Sequence, residues 1–99
     1  MSTPTVHVIV EAEVLPAHTE EVKVTLTRLA DFSRRETGCL AYEVLYDKER
    51  PTHMTITEIW SDASALNVHR ASAHVAAALG SLEGKLAAAP VIHEFSPVQ

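Results

Sequence analysis

Ninety-nine residues suffice for one hydrophobic core and not for a second. The 46% apolar content is that of an ordinary globular chain, and a formal charge of −5 argues against the clustered basic surface that nucleic-acid phosphates require. A single cysteine, Cys39, cannot form an intrachain disulfide, and neither a secretory leader nor an apolar run of roughly 20 residues is evident, so the expectation is a cytoplasmic protein without a membrane span.

The stretch "TVHVIVEAEV" (5–14) is rich in β-branched residues and predicts a strand, with Val6, Val8, Val10 and Ala12 on one face and His7, Ile9, Glu11 and Glu13 on the other. The period then changes. Over 15–38, Val22, Leu26, Leu29 and Phe32 or Ser33 form a helical stripe, Pro16 suits the first turn, and Gly38 marks the end. "CLAYEVLYD" (39–47) and "HMTITEIW" (53–60) read as two strands, joined as a hairpin by the polar "KERPT" (48–52). Ser61 and Asp62 are suitable caps for a helix that starts just after Trp60. A further helix is expected over 72–89, where Val75, Leu79, Leu82 and Leu86 form a stripe interrupted by Gly80 and Gly84. "PVIHEFSPV" (90–98) predicts the last strand.

The order β-α-β-β-α-β is that of an α+β, ferredoxin-like domain: a four-stranded antiparallel sheet with its helices on one face and the second helical unit in two pieces. Both faces of the first strand carry apolar side chains. A sheet so small needs a second cover, and a homodimer pairing sheet to sheet supplies one.

The stretch "VHRASAH" (68–74) places His69 and His74 five residues apart. On an unbroken helix the two rings would diverge by about 140°, which is not the i, i+4 spacing of a helical metal motif. Ser72 is expected to break the helix, so that His69 closes one piece and His74 opens the next. A metal site drawn from His69, His74 and Glu58 gains little support from this spacing, and no metal is expected. Dinucleotide, P-loop and nucleophile-elbow motifs are absent from the sequence.

The central string, Glu36-x-Gly38-Cys39-Leu40, Tyr42-Glu43, Glu58-x-Trp60, then Ala65, Leu66 and His69-x-x-Ser72-x-His74, resembles the antibiotic biosynthesis monooxygenase (ABM) family, including its quinol monooxygenase-like members. The resemblance covers residues 5–96 as elements and 36–74 as motif. It implies a dimeric α+β barrel that oxidises a quinol or hydroxylated aromatic with dioxygen, with no cofactor. Related haem degraders carry an axial histidine about five positions beyond His74, where this chain reads "AAALG" (76–80).

Cofactor-free oxygenation needs a base that makes the substrate electron-rich, inside a dry, apolar pocket. Histidine titrates in the right range, so His69 and then His74 are the candidate bases, with Glu58 orienting one of them. Trp60, Tyr42, His7 and Phe32 are the candidate substrate-binding side chains. Each has a plainer reading: helix-end histidines, a hydrogen-bonded structural carboxylate, and core or sheet aromatics. Two other functions would fit the same pocket, an isomerase or other proton-transfer enzyme and a non-catalytic dimeric stress protein that binds a small molecule.

Overall fold

The computed structural model describes residues 4–99. Its elements are β1 (Val6–Glu13), α1 (Thr19–Ser33), β2 (Cys39–Tyr46), β3 (His53–Trp60), α2 (Ala63–Arg70), α3 (Ala73–Leu82) and β4 (Val91–Phe95). The four strands form one antiparallel sheet in the order β2-β3-β1-β4, as expected of a ferredoxin-like α+β fold. Among the described residues, no helix is long and apolar enough to cross a membrane.

Register decides which side chains meet the helices. Val6, Val8, Val10 and Ala12 of β1 lie opposite Trp60, Glu58, Ile56 and Met54 of β3, and Tyr42 of β2 lies opposite Glu58. Strand β3 alternates strictly between half-buried and buried positions, so its even-numbered residues form the floor of the core. Val22, Leu26, Leu29 and Ala30 of α1 close over that floor. Ser33 continues the α1 stripe inward and is fully buried, whereas Phe32 is 45% exposed.

The helical segments are shorter than their apolar patterns. Pro16–His18 forms a separate 3-10 turn ahead of α1, with the proline at its first position, where no backbone N–H is needed. Helix α1 stops at Ser33, and the segment to Gly38 turns back on itself. The Asp62 carboxylate caps α2 by accepting from Ala65 N at 2.8 Å. Ser72 does break the second helical unit: its hydroxyl oxygen accepts from Val75 N at 3.4 Å and caps α3. Helix α3 ends at Leu82 rather than Ala89, and Gly84 follows in the left-handed region at φ +78°. Leu86 therefore lies outside the helix, where it bridges to Val14.

Candidate functional site

The turn after α1 sets the site. Glu36 N donates to Ser33 O and Cys39 N donates to Glu36 O, both at 3.1 Å, so the backbone at Glu36 is held on both sides. Gly38, at φ +90°, accepts from Ser61 N through its carbonyl at 2.8 Å and brings the turn against the start of α2. A Cβ at Gly38 would stand 2.6 Å from Ala65 Cβ, so the approach requires glycine. The turn thereby projects the Glu36 side chain between the end of α2 and the start of α3.

Both histidines of the "VHRASAH" stretch meet that carboxylate. His69 Nδ1 donates to Glu36 Oε2 at 2.6 Å, and His74 Nε2 donates to the same oxygen at 3.0 Å. A carboxylate can only accept, so His69 carries a proton on Nδ1, and Nε2 is the ring nitrogen not engaged by Glu36. His69 Nε2 lies 3.9 Å from Glu58 Oε1. Glu58 itself accepts from Trp60 Nε1 at 2.9 Å, and the Trp60 ring packs on the His69 ring with centroids 4.5 Å apart. Tyr42 touches the His69 ring from the sheet at 5.6 Å.

Burial shapes the electrostatics of this cluster. Desolvation raises the Glu58 carboxyl above its ordinary value, while the Trp60 hydrogen bond and the His69 and Arg70 charges pull it back only in part. The Tyr42 phenol is pushed well above its ordinary range by burial first and by the Glu58 charge second, so it stays protonated. The Cys39 thiol is raised by burial and by the charges of Glu36 and Glu58, which leaves it a poor nucleophile.

A cavity of about 290 Å³ lies between the sheet and the helices, lined mainly by aliphatic side chains from β1, α1, β3 and α3. Its polar lining comes from Tyr42, Glu58, His69 and Arg70. Arg70 is held by Glu94 at 2.6 Å. Val75, Leu79 and Leu82 of the α3 stripe line this space instead of filling a solid core, which is why Leu79 stays 60% exposed.

The predicted site residues divide into three groups. Tyr42, Glu58 and His69 line the cavity. Trp60, fully buried, backs His69 and Glu58 from behind rather than forming a wall, and His74 opens instead on an outer groove between α1 and α3. Phe32 and His7 lie away from the inner cavity. Phe32 faces that outer groove and stacks on His74 at 5.7 Å, because Ser33 and not Phe32 continues the inward stripe. His7 pairs with Ile59 and Phe95 on the opposite sheet face and bonds to Thr5, since strand alternation turns it away from the helices.

The carboxylate in hydrogen-bond contact with both histidines is Glu36, whereas Glu58 Oε1 stands 3.9 Å from His69 Nε2. Sequence reading treats Glu36 only as part of the family-like string. Its separations of 33 and 38 residues from the two histidines carry no local signal, and only the E-x-G-C string could have singled it out. Glu36, His69 and His74 also place one ligand atom each within 4.8 Å of one another, the donor types that a transition-metal ion takes.

The model of the antibiotic biosynthesis monooxygenase family matches residues 5–80. No curated protein matches the chain. Among solved structures, a candidate antibiotic biosynthesis monooxygenase from Caulobacter crescentus CB15 is 26% identical, with 98% of this chain and 92% of that one covered at a TM-score of 0.91. A conserved protein from Methanosarcina mazei Go1 is 25% identical over 94% of this chain and 92% of its own, at 0.89. An antibiotic biosynthesis monooxygenase at 24% identity covers 95% and 99%, at 0.90. With three quarters of its length matched by the family model and its whole architecture shared with these structures, the chain belongs to the antibiotic biosynthesis monooxygenase family.

Proposed function

We propose that this protein is a cofactor-independent monooxygenase acting on a quinol or hydroxylated aromatic with dioxygen. The observation that carries the reading is the pairing of buried His69 with half-buried Glu36, 2.6 Å apart, with His69 on the wall of an apolar cavity. A phenolic hydroxyl placed at His69 Nε2 loses its proton: the O–H bond breaks, an N–H bond forms, and the imidazolium is held by the Glu36 carboxylate. The electron-rich anion left in the cavity passes an electron to dioxygen. Overall, a quinol and dioxygen give a hydroxyquinone and water, which balances without an external reductant.

The other residues support this assignment. Aliphatic walls exclude water and accommodate rings, and the protonated Tyr42 offers a hydrogen bond to a substrate oxygen. Trp60 and Glu58 brace the face and edge of the base. Oxygen uptake by purified protein across a panel of naphthoquinols and hydroxylated polycycles tests the reading, with His69→Ala as the control. Uptake that is absent throughout, or unchanged in His69→Ala, overturns it. Turnover of a substrate at full rate without oxygen would instead select a proton-transfer isomerase.

The same reading includes a homodimer through the outer sheet face. Register puts Ile9, Leu45, Ile59, Val91 and Phe95 on that face, with Leu45, Val91 and Phe95 about half exposed. These side chains favour a second copy of the chain as cover. Sedimentation of Ile59→Glu against the parent protein tests it: a parent monomer at micromolar concentration rules the dimer out.

A further inference from the structure

The geometry points to Glu36, His69 and His74 as a binding site for a divalent transition-metal ion such as Zn²⁺, held by two imidazoles and one carboxylate. Three backbone segments present the donors: the turn after α1, the last turn of α2 and the first turn of α3. Glu36 Oε2 already stands 2.6 and 3.0 Å from the two ring nitrogens, and all three donor atoms fall within 4.8 Å. Ligand atoms at about 2.0–2.2 Å from zinc stand roughly 3.3–3.5 Å from each other in a tetrahedron, so donors now 2.6, 3.0 and at most 4.8 Å apart change their separations by about 0.5 to 1.5 Å on ligation, the scale of side-chain rotation.

Two independent features favour a cation at this point. The first is charge. Glu36 and Glu58 have side-chain exposures of only 13% and 5%, and among the described residues their ion pairs are all with histidine. Arg70, whose charge reaches Glu58, is bonded to Glu94. A dication adds positive charge beside two nearly buried carboxylates whose ion pairs are confined to histidine. The second is the outer partner. Ligation through Nδ1 moves the His69 proton to Nε2, and Glu58 Oε1, itself fixed by Trp60 Nε1, is the nearest carboxylate oxygen at 3.9 Å, within reach of an acceptor position after a small side-chain shift. A carboxylate behind a ligating histidine is the usual support of such sites.

Metal binding and the proposed chemistry are mutually exclusive at His69, because ligation through Nδ1 puts the proton on the nitrogen that would act as base. Zinc is thus a reversible inhibitor of the oxygenase; this consequence rests on the proposed function, whereas binding does not. Titration calorimetry with ZnCl₂ and the visible absorption of the Co²⁺ form, on the full-length protein stripped with chelator, test the site directly. One equivalent is expected to bind with tetrahedral or five-coordinate Co²⁺ absorption. His74→Gln and Glu36→Gln should each weaken it by more than the roughly 10- to 100-fold that loss of an outer partner causes. His53→Gln, which alters the peripheral pair with Glu11, should not change it. Circular dichroism establishes that each variant is folded, and an unfolded His74→Gln is replaced by His74→Asn. The absence of stoichiometric binding, or binding that survives His74→Gln and Glu36→Gln, overturns the site. Binding without inhibition of oxygen uptake leaves the site standing and sinks His69 as the base.

Discussion

His69 and Glu36 are separated by 33 residues, yet His69 Nδ1 stands 2.6 Å from Glu36 Oε2. The pair forms because Gly38 lets the turn after α1 press against α2 while Ser72 ends α2 one turn after His69. With the Nδ1 proton committed to Glu36, only Nε2 is left to receive a proton. Replacing Glu36 by Gln keeps a hydrogen-bond acceptor but removes the charge that holds the imidazolium. A hydrogen bond to a charged group is worth about 1.5–3 kcal/mol, so kcat for quinol oxidation should fall roughly 10- to 150-fold with little change in KM. Steady-state oxygen consumption measures this, and His69→Ala should lose about 100-fold or more.

Glu58 predicts a pH dependence of stability. Its folded pKa is raised, chiefly by burial, so ionising it opposes folding. Below the ordinary value of 4.5 the carboxyl is neutral in both states and the penalty is absent. It grows as pH rises through the raised folded value. Glu58→Gln keeps an acceptor for Trp60 and cannot ionise. The variant should match the parent near pH 4.5 and exceed it at pH 7.5 by about 1 kcal/mol, the ordinary scale of a single substitution. Urea midpoints at the two pH values read this out; a variant less stable at pH 7.5 than the parent contradicts it.

Trp60 should matter more for stability than any other aromatic side chain. It is fully buried, donates to Glu58 and packs on His69. Trp60→Phe removes volume and the donor together, for a loss of about 2–4 kcal/mol in chemical denaturation. The loss should shrink in acid, where a neutral Glu58 tolerates a missing donor better.

Two glycines should respond in opposite directions. Gly38→Ala forces a Cβ to 2.6 Å from Ala65 Cβ and 2.7 Å from Ser61 Oγ, at a positive φ. A loss above about 2 kcal/mol is expected, with impaired metal and substrate binding because Glu36 moves with the turn. Gly80→Ala, within α3 and with nothing within 4 Å of the new methyl, should gain about 0.5–1 kcal/mol. Thermal melts of the two variants decide the contrast.

Ala78 lines both the inner cavity and the outer groove and is almost completely buried. Ala78→Leu pushes a larger side chain against the space where rings would sit. Binding of a naphthol probe, followed by fluorescence, should weaken about tenfold, in line with the 1–3 kcal/mol that overpacking costs.

The order of elements and the sharing of one β3 face by alternate residues are local properties, and the sequence by itself determined them, while the choice of the face that meets the helices came with tertiary packing. Alternation at 53–60 put Met54, Ile56, Glu58 and Trp60 on one side, and strand pleating keeps them there. The break at Ser72 was equally legible, because a serine cap and two helical stripes are written in neighbouring residues. Helix length was less so. The apolar pattern runs to Leu86, but Gly84 adopts a left-handed turn and Leu86 bridges to Val14 across 72 residues. Only tertiary structure decided the site's geometry. Strand alternation sends His7 to the far face, and the choice between Phe32 and Ser33 depends on how α1 is rotated against the sheet. Glu36 joins His69 and His74 through a long-range approach of two helix ends and a turn, and no spacing along the chain encodes a distance of 2.6 Å.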